Sequence, residues 1–263
     1  MHKTEPPIRT SREQFDRQAE HYDTQWNTWS EESLAWLLAN ADCRPTDAAL
    51  DVATGTGFTA LAFAPQVGSV VGLDVSPGML AQARQRAQAQ GLANVRFQEG
   101  EAEHLPFPDA SFDLVTCRIA PHHFLSVPRF LSESARVLKP DGRFLLADTC
   151  VPDDVSEVDR WQNGVEALRD PSHVRNYTLR EWRQFVEAAG LHVERITDMG
   201  GGIPLTLNDW IVKAGCTPEQ AAAVRREFET APASAVQTFQ IAHHTDGDVG
   251  FVWQRVLLRA TKS

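Results

Sequence analysis

The stretch from Ala48 to Cys150 constrains the fold more than any other part of the chain, because short apolar runs alternate there with longer helical ones. AALDVA reads as a strand, GFTALAFAP as a helix, SVVGLDV as a strand and SPGMLAQARQRAQAQ as a helix. NVRFQEG and FDLVTCRIA follow as strands, VPRFLSESARVL as a helix and GRFLLADT as a strand. Strands this apolar, separated by helices, predict a parallel sheet covered on both faces, an α/β architecture. Gly91, Pro140, Asp141 and Gly142 fall between the periodic segments, where turn chemistry is required.

A chain of 263 residues with 42% hydrophobic content can bury one large core, so one domain is expected over 1–263. Ahead of the first strand, SREQFDRQAEHYDTQW and SEESLAWLLANA predict helices that form a cover over 1–45, the second capped by Ser30. The core then spans 46–150. Residues 151–249 carry a helix through DVSEVDRWQNGVEALRD, then TLREWRQFVEAAG with a capping box from Thr178 to Glu181, and the strand LHVERI. TPEQAAAVRREFE adds a helix capped by Thr217, with Pro218 at its first position. FVWQRVLLRAT closes the chain as one last strand over 250–263.

The formal net charge of −10 argues against a nucleic-acid partner, because such affinity draws on clustered Lys and Arg. Small-molecule chemistry is favoured instead. Cys43, Cys117, Cys150 and Cys216 are scattered without metal-ligand spacing, which suits a reducing compartment. No apolar run reaches the roughly 18 residues that would span a bilayer, and the first residues lack the apolar centre of a signal peptide. A cytoplasmic location is expected. His243 and His244, with Asp246 and Asp248, are too irregularly spaced to predict a metal site, and none is expected.

The segment LDVATGTGFTA places Asp51 in the first strand, Gly55 and Gly57 in the turn and a helix start near Phe58. Such a turn lets the backbone approach a ligand closely. GTGFTA also satisfies a dinucleotide fingerprint, with Asp74 ending the second strand at a suitable distance, so an NAD(P)-dependent oxidoreductase competes. Electrostatics separates the two. A pyrophosphate would be repelled by a carboxylate at Asp51, whereas a cofactor carrying a sulfonium and an ammonium would be welcomed. Asp74 can accept two ribose hydroxyls, and Glu101 or Glu103, past the third strand, can accept an adenine amino group.

LDVATGTG, VVGLDVSPGML, FQEGEAEHLPFPDASFDLVTC and ARVLKPDGRFLLAD resemble, in order, the successive motifs of the class I S-adenosylmethionine-dependent methyltransferases. Within them the chain is most similar to the branch of the ubiquinone and menaquinone biosynthesis C-methyltransferases and their small-molecule relatives, over roughly residues 11–150. The resemblance implies a Rossmann-like, mostly parallel seven-stranded sheet with helices on both faces and an antiparallel edge hairpin supplied by LHVERI and FVWQRVLLRAT. It implies S-adenosylmethionine as cofactor, with Asp51, Gly55 and Gly57 holding its methionine part and Asp74 its ribose. Met79 would pack near the adenine, Glu101 and Ala102 would read its edge, Arg118 would line the cleft, and Tyr22 would close over it. CRIAPHHF departs from the Asn-Pro-Pro-aromatic motif of adenine-N6 enzymes, which disfavours amino-directed substrates of that kind.

The expected reaction is methyl transfer to a C, O or N atom of a metabolite, and its main requirement is alignment, worth roughly 7 to 11 kcal/mol. A base is needed only where the nucleophile must lose a proton. His122 and His123, after the fourth strand, are the candidate bases, with His123 preferred as a cleft residue. A protein that binds the cofactor without transferring methyl is the remaining alternative. Neither the acceptor nor the oligomeric state is legible.

Overall fold

The computed structural model describes residues 11–18, 27–198 and 202–263. Two helices, α1 (Ser11–Gln18) and α2 (Asn27–Asn40), precede β1 (Ala48–Val52), α3 (Phe58–Phe63), β2 (Ser69–Asp74), α4 (Pro77–Ala89) and β3 (Val95–Glu99). β4 (Phe112–Arg118), α5 (Val127–Val137) and β5 (Leu138–Val151) complete the alternating core. α6 (Ser156–Arg169), β6 (Tyr177–Thr178), α7 (Leu179–Ala188) and β7 (Leu191–Thr197) follow. The chain ends with β8 (Ile203–Thr206), α8 (Leu207–Lys213), α9 (Pro218–Glu229), α10 (Ala233–Thr238), β9 (Ala242–His243), β10 (Val249–Trp253) and β11 (Arg255–Lys262).

The main sheet runs β3-β2-β1-β4-β5-β11-β7, with the two-residue β6 alongside the end of β5. β1 to β5 pair in parallel, and β11 lies antiparallel between β5 and β7. This is the mostly parallel sheet with an antiparallel edge pair that the motifs imply. The order reverses between β1 and β4, and open α/β sheets leave a crevice at the carboxyl ends of their strands at such a point.

Apolar side chains fill both faces of the sheet. Phe130 and Leu131 of α5 with Trp182 and Val186 of α7 cover one side, while Leu37 of α2 with Ala60 and Phe63 of α3 cover the other. A separate core holds Trp161, Trp210, Phe228, Phe239, Phe251 and Trp253 beneath a small antiparallel sheet of order β8-β10-β9. The capping boxes are present: Thr178 accepts from the Glu181 N–H, and Thr217 from that of Gln220.

Three local expectations change. α2 already includes Asn27, so Ser30 lies inside its first turn and not at its cap. Pro140, Asp141 and Gly142 lie within β5, where Asp141 takes a φ of 60° and the β4–β5 register slips between Phe112 and Leu114. A turn signal has become an irregularity inside a strand. The single last strand over 250–263 divides at Gln254: β10 joins the small sheet, and β11 enters the main one.

Candidate active site

At the end of β1 the backbone turns through left-handed conformations at Ala53, Gly55 and Gly57, with φ of 55°, 54° and 88°. The Thr54 N–H donates to the Leu73 carbonyl at 2.9 Å, which ties the turn to β2. The Gly55 N–H donates to Asp74 Oδ2 at 2.8 Å and the Ser76 N–H to Asp74 Oδ1 at 2.9 Å. Asp74 thus clamps the glycine turn to the start of α4, whose N-cap Ser76 accepts from the Met79 N–H at 3.1 Å. Burial raises the Asp74 pKa and nearby Asp16 adds to this, while the backbone donors oppose it.

The two glycines differ. A Cβ built on Gly55 meets no atom within 4 Å, so that face of the turn is open. On Gly57 it would lie 3.0 Å from Ala83 Cβ and 3.2 Å from Phe97, so this glycine serves the packing of the turn against α4 and β3.

A cleft of about 770 Å³ opens above the carboxyl ends of the central strands. Gly55, Asp74, Met79, Glu101, Ala102, Arg118 and His123 all line it. Asp51 and Gly57 are not among the residues that line it. Asp51 is 2% exposed, and its oxygens accept from the hydroxyls of Thr54 at 2.6 Å and Thr116 at 2.7 Å. Its pKa is pushed up to about 6, burial outweighing those two hydrogen bonds and the Arg118 charge. The carboxylate that faces the cleft beside the glycine turn is Asp74. His122 lies behind the cleft, in a smaller cavity, and Tyr22 lies outside the described residues.

Several cleft residues went unrecognised in the sequence. Ser11, Arg12 and Phe15 of α1 line one wall, with Arg12 3.0 Å from Glu99 and Phe15 edge-on to His123 at 5.0 Å between ring centroids. Asp16 fastens this helix, accepting from Ser76 Oγ at 2.5 Å and from the Gly78 N–H at 3.2 Å. Arg118 Nε donates to Thr59 Oγ1 at 2.9 Å. Asp148, at the end of β5, accepts the His122 N–H at 2.9 Å and stands 2.6 Å from its Nδ1. The sequence signal was an acid ending the apolar run GRFLLAD at the same sheet edge as Asp74. His243 lies in β9, and the His244 ring packs over Gly250, where a Cβ would come within 2.5 Å of it. Among the described residues, no three His, Cys, Asp or Glu side chains are grouped to hold a metal ion.

The strand order, the glycine turn and the acid ending β2 together define an α/β enzyme of the Rossmann-like, nucleotide-cofactor class. Comparison with known proteins makes this specific. Residues 50–146 match the family described as Methyltransferase domain. The uncharacterised methyltransferase YcgJ of Bacillus subtilis is 38% identical over 254 residues, covering 96% of this chain and 99% of its own. The crystal structure of that protein superposes with a TM-score of 0.83 at 39% identity, covering 88% of this chain and 98% of the other. A demethylmenaquinone methyltransferase of Symbiobacterium thermophilum is 43% identical over 153 residues, 54% of this chain and 59% of that protein. The chain belongs to the S-adenosylmethionine-dependent methyltransferases.

Proposed function

We propose that the main cleft binds S-adenosylmethionine and that the protein transfers a methyl group to a C, O or N atom of a small-molecule metabolite. The observation that carries this reading is the Asp74 clamp between the Gly55 and Ser76 amides at the rim of a cleft large enough for a nucleoside. Each Asp74 oxygen has two acceptor positions, so a carboxylate already holding these amides keeps capacity for the two ribose hydroxyls. Gly55 supplies open space beside it, Met79 and Ala102 supply buried apolar surface for a base, and Glu101 supplies an acceptor for its amino group.

The charge of the walls fits the cofactor. Asp74, Glu99, Glu101 and Glu103 face Arg12, Arg118 and Arg129, and Arg12 is already paired with Glu99, so the balance is acidic. An acidic wall favours a sulfonium and an ammonium and disfavours a pyrophosphate. When bound, the cofactor supplies an electrophilic methyl group on a positively charged sulfur. The chain's part is to orient the two reactants and to exclude water, with α1 covering the cleft through Phe15 and Arg12.

Residues 151–249 are the acceptor side in this reading, because α6 and α8 border the cavity behind the cleft. A cytoplasmic enzyme is supported by four free cysteines. Among the described residues, no helix is long and apolar enough to cross a membrane. Calorimetric titration tests the assignment: S-adenosylhomocysteine should bind, and NAD(H) and NADP(H) should not. Binding of the dinucleotides alone would reject it.

A further inference from the structure

Ile119 stands where the chain leaves β4, and its φ of 54° puts a β-branched residue in the left-handed region, where its side chain crowds its own backbone. Its N–H donates to the Ala147 carbonyl at 2.7 Å, so β5 holds the bend in place. A glycine would take this conformation without strain. The Ile119 side chain is only half-buried, so its burial offsets the strain in part. Strain that a fold maintains in the wall of a cleft points to a position kept for what its side chain does there.

The location of Ile119 shows what that is. The register pairs Val52 of β1 with Cys117 of β4, so Ile119 lies two residues past that pair, across the switch point from the glycine turn. It lines the main cleft, and it also lines a second cavity of about 40 Å³ behind it. Phe15 and His123 are the other residues common to the walls of both. The His123 ring is held from behind, its Nδ1 lying 3.1 Å from both the carbonyl and the hydroxyl oxygen of Ser172, and Phe15 packs edge-on against it. Ile119 is the aliphatic member of this partition.

The two sides of the partition differ in chemistry. On the cleft side its neighbours Phe15, Ala120 and Phe124 are apolar. Behind it the walls are charged, and the charges are largely engaged with one another. Glu166 accepts from Trp253 Nε1 at 2.6 Å and meets Arg169 at 3.4 Å. Asp170 accepts from the Ser172 hydroxyl at 2.7 Å, and Lys213 pairs with Asp209 at 2.6 Å. Burial works to lower the His122 pKa, but Asp148, joined by Glu166 and Asp170, outweighs it and raises the value. A polar group arriving from the cleft would compete with pairs already made.

We propose that Ile119 is a specificity-determining residue that forms the floor of the acceptor subsite, so that the cleft selects acceptors presenting an uncharged, apolar, ring-sized end and turns away those that carry an arm there. The proposal rests on the methyl-transfer reading of the main cleft. The apolar end packs on the Ile119 side chain between Phe15 and Phe124, and the branched side chain keeps it from the charged network. A longer end meets a wall whose removal would join the two cavities. The strained backbone is what aims a branched side chain into that gap.

The test uses the full chain saturated with S-adenosylhomocysteine and two neutral probes, indole and indole-3-ethanol, titrated by calorimetry. In the unaltered protein indole should bind more tightly, because the arm of indole-3-ethanol has no room beyond Ile119. Ile119→Gly removes the wall and relaxes the bend, so the preference should move about tenfold toward indole-3-ethanol. Ile119→Ala should move it in the same direction with a Cβ retained, which separates a missing wall from a loosened backbone. Ile119→Val keeps the branched wall and should leave the preference within about threefold of the unaltered protein. An unchanged preference in either opened variant, or an equal shift in Ile119→Val, overturns the proposal, as does failure of the loaded, unaltered protein to bind indole. Failure of the unaltered protein to bind S-adenosylhomocysteine overturns the cofactor reading beneath it instead.

Discussion

Replacing Asp51 by Asn should change stability in a pH-dependent way that its position dictates. Burial lifts this carboxyl from 3.8 to about 6, so the folded state binds its proton more tightly than the unfolded chain does. Its contribution is therefore fully present below the unfolded value and is lost as pH rises through about 6. At about 1.4 kcal/mol for each tenfold in proton affinity, the whole loss is about 3 kcal/mol. About half of it falls between pH 5 and pH 8, the window in which a folded protein is conveniently studied. Asn keeps the shape and hydrogen-bonds the Thr54 and Thr116 hydroxyls without a charge. The advantage of Asp51→Asn over the unaltered protein should thus grow by about 1 kcal/mol from pH 5 to pH 8, read by urea unfolding of both proteins in parallel. Contributions from the other titrating groups cancel in that difference. S-adenosylhomocysteine affinity should stay within a few-fold, because Asp51 does not line the cleft. A stability difference independent of pH would refute the buried-carboxylate account, and a collapse of affinity with the fold intact would return Asp51 to the ligand.

Asp74→Ala removes the acceptor for two amides and for the ribose, so calorimetry should show S-adenosylhomocysteine binding weakened by about 2–3 kcal/mol; unchanged affinity would refute the clamp. Gly57→Ala combines a φ of 88° with a 3.0 Å contact to Ala83, and thermal unfolding should report a loss of about 2 kcal/mol or more. Gly55→Ala, where the added methyl meets open space, should cost only about 1 kcal/mol of stability while interfering with the cofactor. Asp16→Ala frees α1 from Ser76 and Gly78, so stopped-flow dissociation of S-adenosylhomocysteine should quicken by up to about tenfold with little change in melting temperature. An unaltered dissociation rate would show that α1 does not retain the ligand.

The core was readable because its strands are apolar throughout and its helices announce their own ends. Ser76 ahead of Pro77, and Thr178 with Glu181, are local signals, and local chemistry decided those boundaries. The last strand was misread for the opposite reason. FVWQRVLLRAT is one apolar run, and the change of sheet at Gln254 is set by what packs on either side of it. Asp51 illustrates a second limit. Four of the five residues of β1 are buried, so no alternation of exposed and buried positions shows whether an acid in it turns toward a ligand or into the protein.

The pairing of His122 with Asp148 shows where sequence reading of a site stops and register takes over. The two lie 26 residues apart, and neither carries any sign of the other. Parallel pairing of β4 with β5 sets Arg118 opposite Ala147. Asp148 is then one residue past that pair, and His122 is four past it, after the left-handed bend at Ile119 has turned the chain back toward the strand end. A slip of one residue between β4 and β5 would send Asp148 to the other face of the sheet and leave His122 buried without its acid. The imidazole's tautomer and basicity are therefore consequences of a strand register, which the hydrophobic pattern enforces through Val115 opposite Phe144 and Cys117 opposite Leu146, all of them fully buried. The histidine was visible in the sequence; the chemistry available to it came from packing elsewhere in the sheet.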